Sequence, residues 1–232
     1  MKICVRGGHN PQAQGANSPM LNEVIEDRKI YKSVIKYLVM DKQAVVDGTP
    51  YPCVTSEDLR RGVKDAEDHD ADLFVSIHLN AFNNNAHGTC ALHYKTSKIG
   101  KAYATKISSA LAKFGFYNRG AVADSRGLYE LNQTTMPSVI VECFFLDSKT
   151  DADLYKKVGS DAIGKSIAEA IVGHSIKPPI VINAKVTIKY VLEIQKTLNR
   201  LGIRDSEGKT LVEDNISGKR TKDALNKLVA KI

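Results

Sequence analysis

Glu142 stands in the most apolar stretch of the chain, Val139-Ile140-Val141-Glu142-Cys143-Phe144-Phe145-Leu146. A continuous apolar run is what a strand buried on both faces looks like. An ionised carboxylate there is costly unless it is paired, bound to a metal or placed at an open site. His78 repeats the pattern, between Leu73-Phe74-Val75-Ser76-Ile77 and Leu79-Asn80-Ala81, and His9 follows a short strand directly after Gly7-Gly8. Both histidines fall at the carboxyl ends of strands, the edge of an open α/β sheet where sites form. Neutral imidazole is a common zinc ligand. Two imidazoles and a carboxylate make a frequent catalytic zinc set, with the fourth position open to water. The acid to complete it is Glu23 or Glu26, which open the next helix and, three residues apart, share one face. Either also suits a helix N-terminus simply as favourable charge.

The elements that must position these residues alternate. Strands are predicted over Lys2–Arg6, Ala44–Val46, Asp72–Leu79, Gly88–Lys95 and 138–146. Helices are predicted over 23–40, where Ile30, Val34, Tyr37 and Leu38 share a face, and over 55–69, 97–114, 148–157 and 160–173. Thr55 followed three residues later by Asp58 reads as a capping box. Alternating strands and helices imply an α/β fold: an open, mostly parallel sheet flanked by helices on both faces. Lys177-Pro178-Pro179 breaks the pattern, since consecutive prolines cannot continue a helix. The expected organisation is a domain over 1–176, a linker over 177–186 and a small helical domain over 187–232.

With 232 residues, 43% hydrophobic and 25% charged, the chain has the composition of a globular protein. No apolar run reaches the roughly 18 residues of a membrane span. The N-terminal MKICVRGGHN lacks the apolar core of a secretory signal, so a chain made in the cytoplasm without its own export signal is expected. The cysteines, Cys4, Cys53, Cys90 and Cys143, have no CxxC spacing, and Cys4 and Cys143 are read as small buried thiols. The net charge of +7 is concentrated: residues 185–232 hold 11 Lys/Arg against 6 Asp/Glu. Such a tail suits an anionic partner, but its one aromatic residue, Tyr190, makes a poor stacking platform for nucleic acid. His69 and His174 are read as solvated, His87 and His93 as bystanders beside a strand, and Arg6 and Arg119 as surface arginines that could touch an anionic group.

The order Gly8-His9, Gly15-Ala16, an early-helix glutamate, Ser76-Ile77-His78-Leu79-Asn80-Ala81, Asn118-Arg119-Gly120 and Pro137-Ser138-Val139-Ile140-Val141-Glu142 resembles the zinc-dependent N-acetylmuramoyl-L-alanine amidases of the type 3 family, over about residues 1–175. The resemblance implies Zn²⁺ held by His9, His78 and an early glutamate, with Glu142 as the catalytic acid/base. Glu23 is favoured as that glutamate by its spacing to Ile30, Val34 and Leu38. Glu26 heads a Glu-Asp-Arg-Lys-Ile run that resembles the family's Glu-Lys-Asp-Ile. Asn10-Pro11-Gln12-Ala13-Gln14 departs from the family's glycine-rich turn, and Asp47-Gly48-Thr49-Pro50 replaces its Thr-Arg. These departures fit the shorter catalytic domains of clostridial phage endolysins.

The tail resembles peptidoglycan-binding type 1 repeats through Val191–Ile203 and through Asp214-Asn215-Ile216-Ser217-Gly218-Lys219-Arg220-Thr221-Lys222-Asp223-Ala224-Leu225, without the usual closing Phe-Gln. Together these resemblances imply a modular peptidoglycan hydrolase that reaches the wall at cell lysis; a monomer is assumed, since the sequence does not fix the oligomeric state. Two other readings stay open: a zinc peptidase cutting within the stem peptide, and a non-catalytic basic binding module.

Overall fold

The computed structural model describes residues 1–48, 53–177, 191–214, 216 and 218–229. The chain divides into two compact units, Met1–Ile176 and Lys177–Ile232. The double proline and most of the expected linker, with Thr49-Pro50, Tyr190, Asn215 and Ser217, lie outside the described residues.

The first unit is an α/β sandwich on a six-stranded sheet of order β2-β1-β3-β6-β4-β5. Its strands are β1 (Lys2–Gly7), β2 (Ala44–Asp47), β3 (Leu73–Asn80), β4 (Thr89–His93), β5 (Asn118–Ala123) and β6 (Ser138–Phe145). All neighbouring pairs are parallel except β4 with β6, so the sheet is mostly parallel as expected. Its helices are α1 (Glu23–Met40), α2 (Thr55–Asp68), α3 (Lys98–Ala112), α4 (Tyr129–Gln133), α5 (Lys149–Val158) and α6 (Ser160–Val172). Strand β5 and helix α4 had no counterpart among the predicted elements.

Side chains alternate across a strand, and the two faces of this sheet differ. Ile3, Val5, Leu73, Val75, Ile77, Val139 and Val141 join Ile30, Val34 and Leu38 of α1, Ile107 and Leu111 of α3 and Ile163 and Ile167 of α6 in one large core. The intervening residues face the other way, where Cys4 and Phe74 pack with Ala66 of α2 and Ile140 packs with Leu131 of α4. Helix α1 starts on Asn22, whose side chain accepts from the amide of Ile25 at 3.1 Å, a regular N-cap. It packs closely on α6 because residue 164 is glycine: a Cβ there would lie 2.4 Å from Ser33 Cβ and 2.9 Å from the Ile30 carbonyl. Helix α2 is not capped by Thr55. Val54 is its N-cap, without a side-chain hydrogen bond, because Asp58 turns inward to Arg6 instead.

In the second unit, α7 (Val191–Arg200) and α8 (Lys219–Val229) enclose Leu198, Ile203, Leu211 and Ala224. Gln195 ties the connection down, donating to Asp214 Oδ1, the Ile216 carbonyl and Thr221 Oγ1.

Candidate metal centre

The site grows from strand parity and register. Cys4 and Arg6 on β1, Phe74, Ser76 and His78 on β3, and Ile140 and Glu142 on β6 project from the same side of the sheet. In register Arg6 lies beside Ser76, and His78 beside Glu142. The sheet's carboxyl edge therefore sets an imidazole next to a carboxylate. Past the end of β1 the Gly8 amide donates to the Ile77 carbonyl at 2.8 Å, which carries His9 to the same edge. The His9 and His78 rings meet edge-on, with centroids 4.9 Å apart.

Glu23, the first residue of α1, enters between them. Its Oε1 lies 3.2 Å from His78 Nδ1 and 3.4 Å from His9 Nε2. The carboxylate is aimed by two backbone donors, Leu79 N to Oε1 at 2.9 Å and Ala16 N to Oε2 at 2.7 Å. Burial pushes the pKa of Glu23 up, but its hydrogen bonds to His78 and His9 and their charges outweigh this and hold it below the ordinary carboxylate range. His78 is held well above its ordinary value: burial opposes the charge, and the carboxylates of Glu130, Glu23 and Glu142 overcome it.

Two glycines keep the space clear. A Cβ at Gly15 would sit 2.2 Å from Glu23 Oε2 and 2.6 Å from His9 Nε2, and one at Gly8 would sit 2.1 Å from the His78 ring. One ligand atom from each of His9, Glu23 and His78 lies within 4.8 Å of the others. Two imidazoles and a carboxylate converging across a gap that a methyl group would fill match the donor set of a divalent transition metal such as zinc.

The structure brings together three of the candidate residues, with the fourth alongside. Glu142 lines the adjoining cleft of about 300 Å³, with His9, His78, Leu59, Arg126 and Tyr129. Its Oε2 is buried without a hydrogen-bond partner among the described residues. Burial raises the pKa of Glu142; the charge of His78 opposes the rise and that of Glu23 adds to it. Glu26 takes no part: it accepts from Lys29 Nζ and Tyr155 Oη. The remaining histidines lie elsewhere. His69, His87 and His174 are exposed, and His93, buried in β4, is bonded through Nδ1 to the Tyr94 carbonyl.

Arg119 is exposed as read, lying 4.8 Å over the Phe145 ring. Arg6 is not a surface arginine. It is fully buried, held by Asp58 Oδ2 at 2.9 Å and Glu130 Oε1 at 3.1 Å. Glu130 was missed from the sequence. The available signal was Arg6 itself: two residues from Cys4 on a buried strand, a guanidinium must face inward and requires carboxylate partners.

Residues 3–173 match the N-acetylmuramoyl-L-alanine amidase family. The chain belongs to that family. It is 44% identical over 186 residues to an uncharacterized protein of Clostridium perfringens, covering 77% of this chain and 55% of the relative. It is 30% identical to the endolysin of Bacillus phage SPP1, covering 79% of this chain and 66% of the endolysin. Among solved structures, the catalytic domain of an endolysin targeting Clostridia difficile superposes with a TM-score of 0.70 at 31% identity, covering 76% of this chain and 99% of that domain. The chain spans about half the length of the Clostridium relatives it matches. Among the described residues of this amidase-family chain, no helix is long and apolar enough to cross a membrane.

Proposed function

We propose that this chain is a zinc-dependent peptidoglycan hydrolase that cleaves the amide between the lactyl group of N-acetylmuramic acid and L-alanine of the stem peptide. The observation that carries the reading is the convergence of His9, Glu23 and His78 beside Glu142, whose Oε2 is buried without a hydrogen-bond partner among the described residues. His9, Glu23 and His78 would hold the metal. A bound zinc ion supplies a Lewis acid that lowers the pKa of water and polarises an amide carbonyl. Glu142 does the proton work. Its carboxylate accepts the proton of the attacking water, and the same proton passes to the alanine nitrogen as the C–N bond breaks. A carboxyl group whose pKa is raised by burial is suited to both the taking and the giving. The cleft walls of Leu59 and Tyr129 would exclude bulk water from the reacting atoms.

The second unit would anchor the enzyme on the wall, its basic surface facing an anionic polymer and raising the local substrate concentration. Likeness to endolysins supports a lytic role, with access to the wall gained when the membrane is breached.

The test is a digest of Gram-positive walls by the full chain, read by mass spectrometry. New L-alanine amino termini on intact glycan are expected, abolished by a chelator and restored by Zn²⁺. Fragments cut within the stem peptide would overturn the choice of bond. Activity undiminished by chelation in protein shown to carry no metal would overturn the mechanism.

A further inference from the structure

The convergence on Glu23 uses one nitrogen of His78 and leaves the other. Nδ1 faces Glu23, whereas Nε2 is buried with no hydrogen-bond partner among the described residues. On that far side, 3.9 Å away, is Oε2 of Glu130. Glu130 is 2% exposed, and its other oxygen is fixed twice, by Arg6 Nη1 at 3.1 Å and by Ser76 Oγ at 3.2 Å. Arg6 is in turn held from its far side by Asp58. Arg6, Ser76 and His78 share one face of adjacent strands, so the first turn of α4 lays the Glu130 carboxylate along all three.

An imidazole that offers one nitrogen to a cation carries its proton on the other, and what that proton bonds to sets the tautomer and the ring's orientation. A buried N–H without an acceptor costs roughly 1–3 kcal/mol. At 3.9 Å the pair is too long for a hydrogen bond, and a movement of about 1 Å closes it. We infer that Glu130 is a positioning residue for the metal centre: it accepts the Nε2 proton of His78 and thereby presents Nδ1 to the cation, while Arg6 and Ser76 hold Glu130 in place. The inference rests on the metal-binding reading above and extends it to a residue outside the ligand set.

Glu130→Asp separates positioning from simple charge balance, because it keeps a carboxylate for Arg6 but withdraws it from His78 by one methylene. Zinc affinity, measured by competition with a chromophoric chelator, should fall roughly 10–100-fold, with the melting temperature of the metal-free chain little changed. In ring-¹⁵N spectra of the zinc-loaded chain, the His78 Nε2 proton should be slow to exchange in the wild type and fast in the variant. Ser76→Ala, which removes only one of the restraints on Glu130, should weaken zinc binding in the same direction by a few-fold, and it decides the matter if Glu130→Asp fails to fold. Unchanged zinc affinity and an unchanged Nε2 proton in a folded variant would make Glu130 a mere counter-charge to Arg6 and overturn the inference. A wild-type chain without zinc affinity would instead sink the metal site itself.

Discussion

The two faces of the sheet are built from the same strands, one residue out of step. Val5 is followed by Arg6, Ile77 by His78 and Val141 by Glu142. The first of each pair enters the core under α1, α3 and α6. The second faces α2, α4 and the cleft, where Arg6, Ser76, His78 and Glu142 bring charge and polarity into a strand layer. Of the buried polar atoms without a hydrogen-bond partner among the described residues, His78 Nε2, Glu142 Oε2 and Asp58 Oδ1 belong to this second face, while Asp27 Oδ2 and Arg28 Nη2 lie on α1 and Asp147 Oδ1 follows β6. Such atoms destabilise a fold. Those of the second face persist because the opposite side of each strand is anchored by close-packed aliphatic side chains. The difference teaches that stability and reactivity are divided by parity along the strand, so substitutions one position apart should fail in different ways.

The strongest break expected is at Glu142. Glu142→Gln keeps the side chain's shape and removes the base, so hydrolysis of a soluble muropeptide should fall by roughly 10²–10⁴ with zinc content unchanged. Near-normal turnover would reduce Glu142 to a strand-end carboxylate, and loss of zinc would make it part of the metal site.

On the other face, Leu73 is fully buried in the large core. Leu73→Ala should cost about 2–5 kcal/mol in urea unfolding, with turnover per folded molecule and zinc stoichiometry intact. If zinc binding falls in proportion to stability, the two faces are not separable.

Gly15→Ala sharpens the comparison from the side of the site. The backbone there needs no left-handed conformation, so the added methyl acts by crowding His9 and Glu23. Zinc affinity should drop roughly tenfold or more, on the scale of a lost supporting contact, while the melting temperature of the metal-free chain stays near that of the wild type. A large loss of stability with unaltered zinc affinity would show that residue 15 serves the turn and not the metal centre.

The apolar face was legible in the sequence because it is periodic. Ile30, Val34 and Leu38 mark α1, and the runs through Val75 and Val141 mark the central strands. The reactive face was legible only where a polar residue interrupts such a run, as His78 and Glu142 do. Arg6 carried a signal in its place two residues from Cys4, but it was misread because a two-sided strand as short as β1 shows little contrast between its faces. Glu130 and Asp58 come to Arg6 from α4 and α2, 124 and 52 residues away along the chain, and no local pattern encodes that meeting. Asp58 carried a local signal, the spacing from Thr55, but the buried guanidinium outcompeted the cap. Strand β5 escaped notice because it is an edge strand with half-exposed residues, and α4 because five residues are too few to show a helical period.

The smallest effect is expected at the outer rim of the apolar layer, where α6 meets α1 through Asp161. Its carboxylate accepts from Ser33 Oγ, Lys36 Nζ and Tyr37 Oη, each at 2.7 Å. Hydrogen bonds from Lys36, Ser33 and Tyr37 lower its pKa from 3.8 to about 2. A carboxyl group with a depressed pKa in the folded chain contributes stability that is fully present above its unfolded value and is lost as the pH falls through the folded one. The side chain is 61% exposed, so solvent screening limits the contribution to less than about 1 kcal/mol. Asp161→Asn should therefore cost no more than that in urea unfolding near neutral pH. Its deficit relative to the wild type should shrink as the pH is lowered from 3.8 toward about 2, because the wild type then loses the charge that the variant never had. Zinc affinity should not move at any pH where both chains are folded. A deficit that stays constant on acidification would assign the contribution to hydrogen bonding and packing instead of charge. A deficit accompanied by weaker zinc binding would mean that this rim is coupled to the reactive face through α1, whose first residue is Glu23.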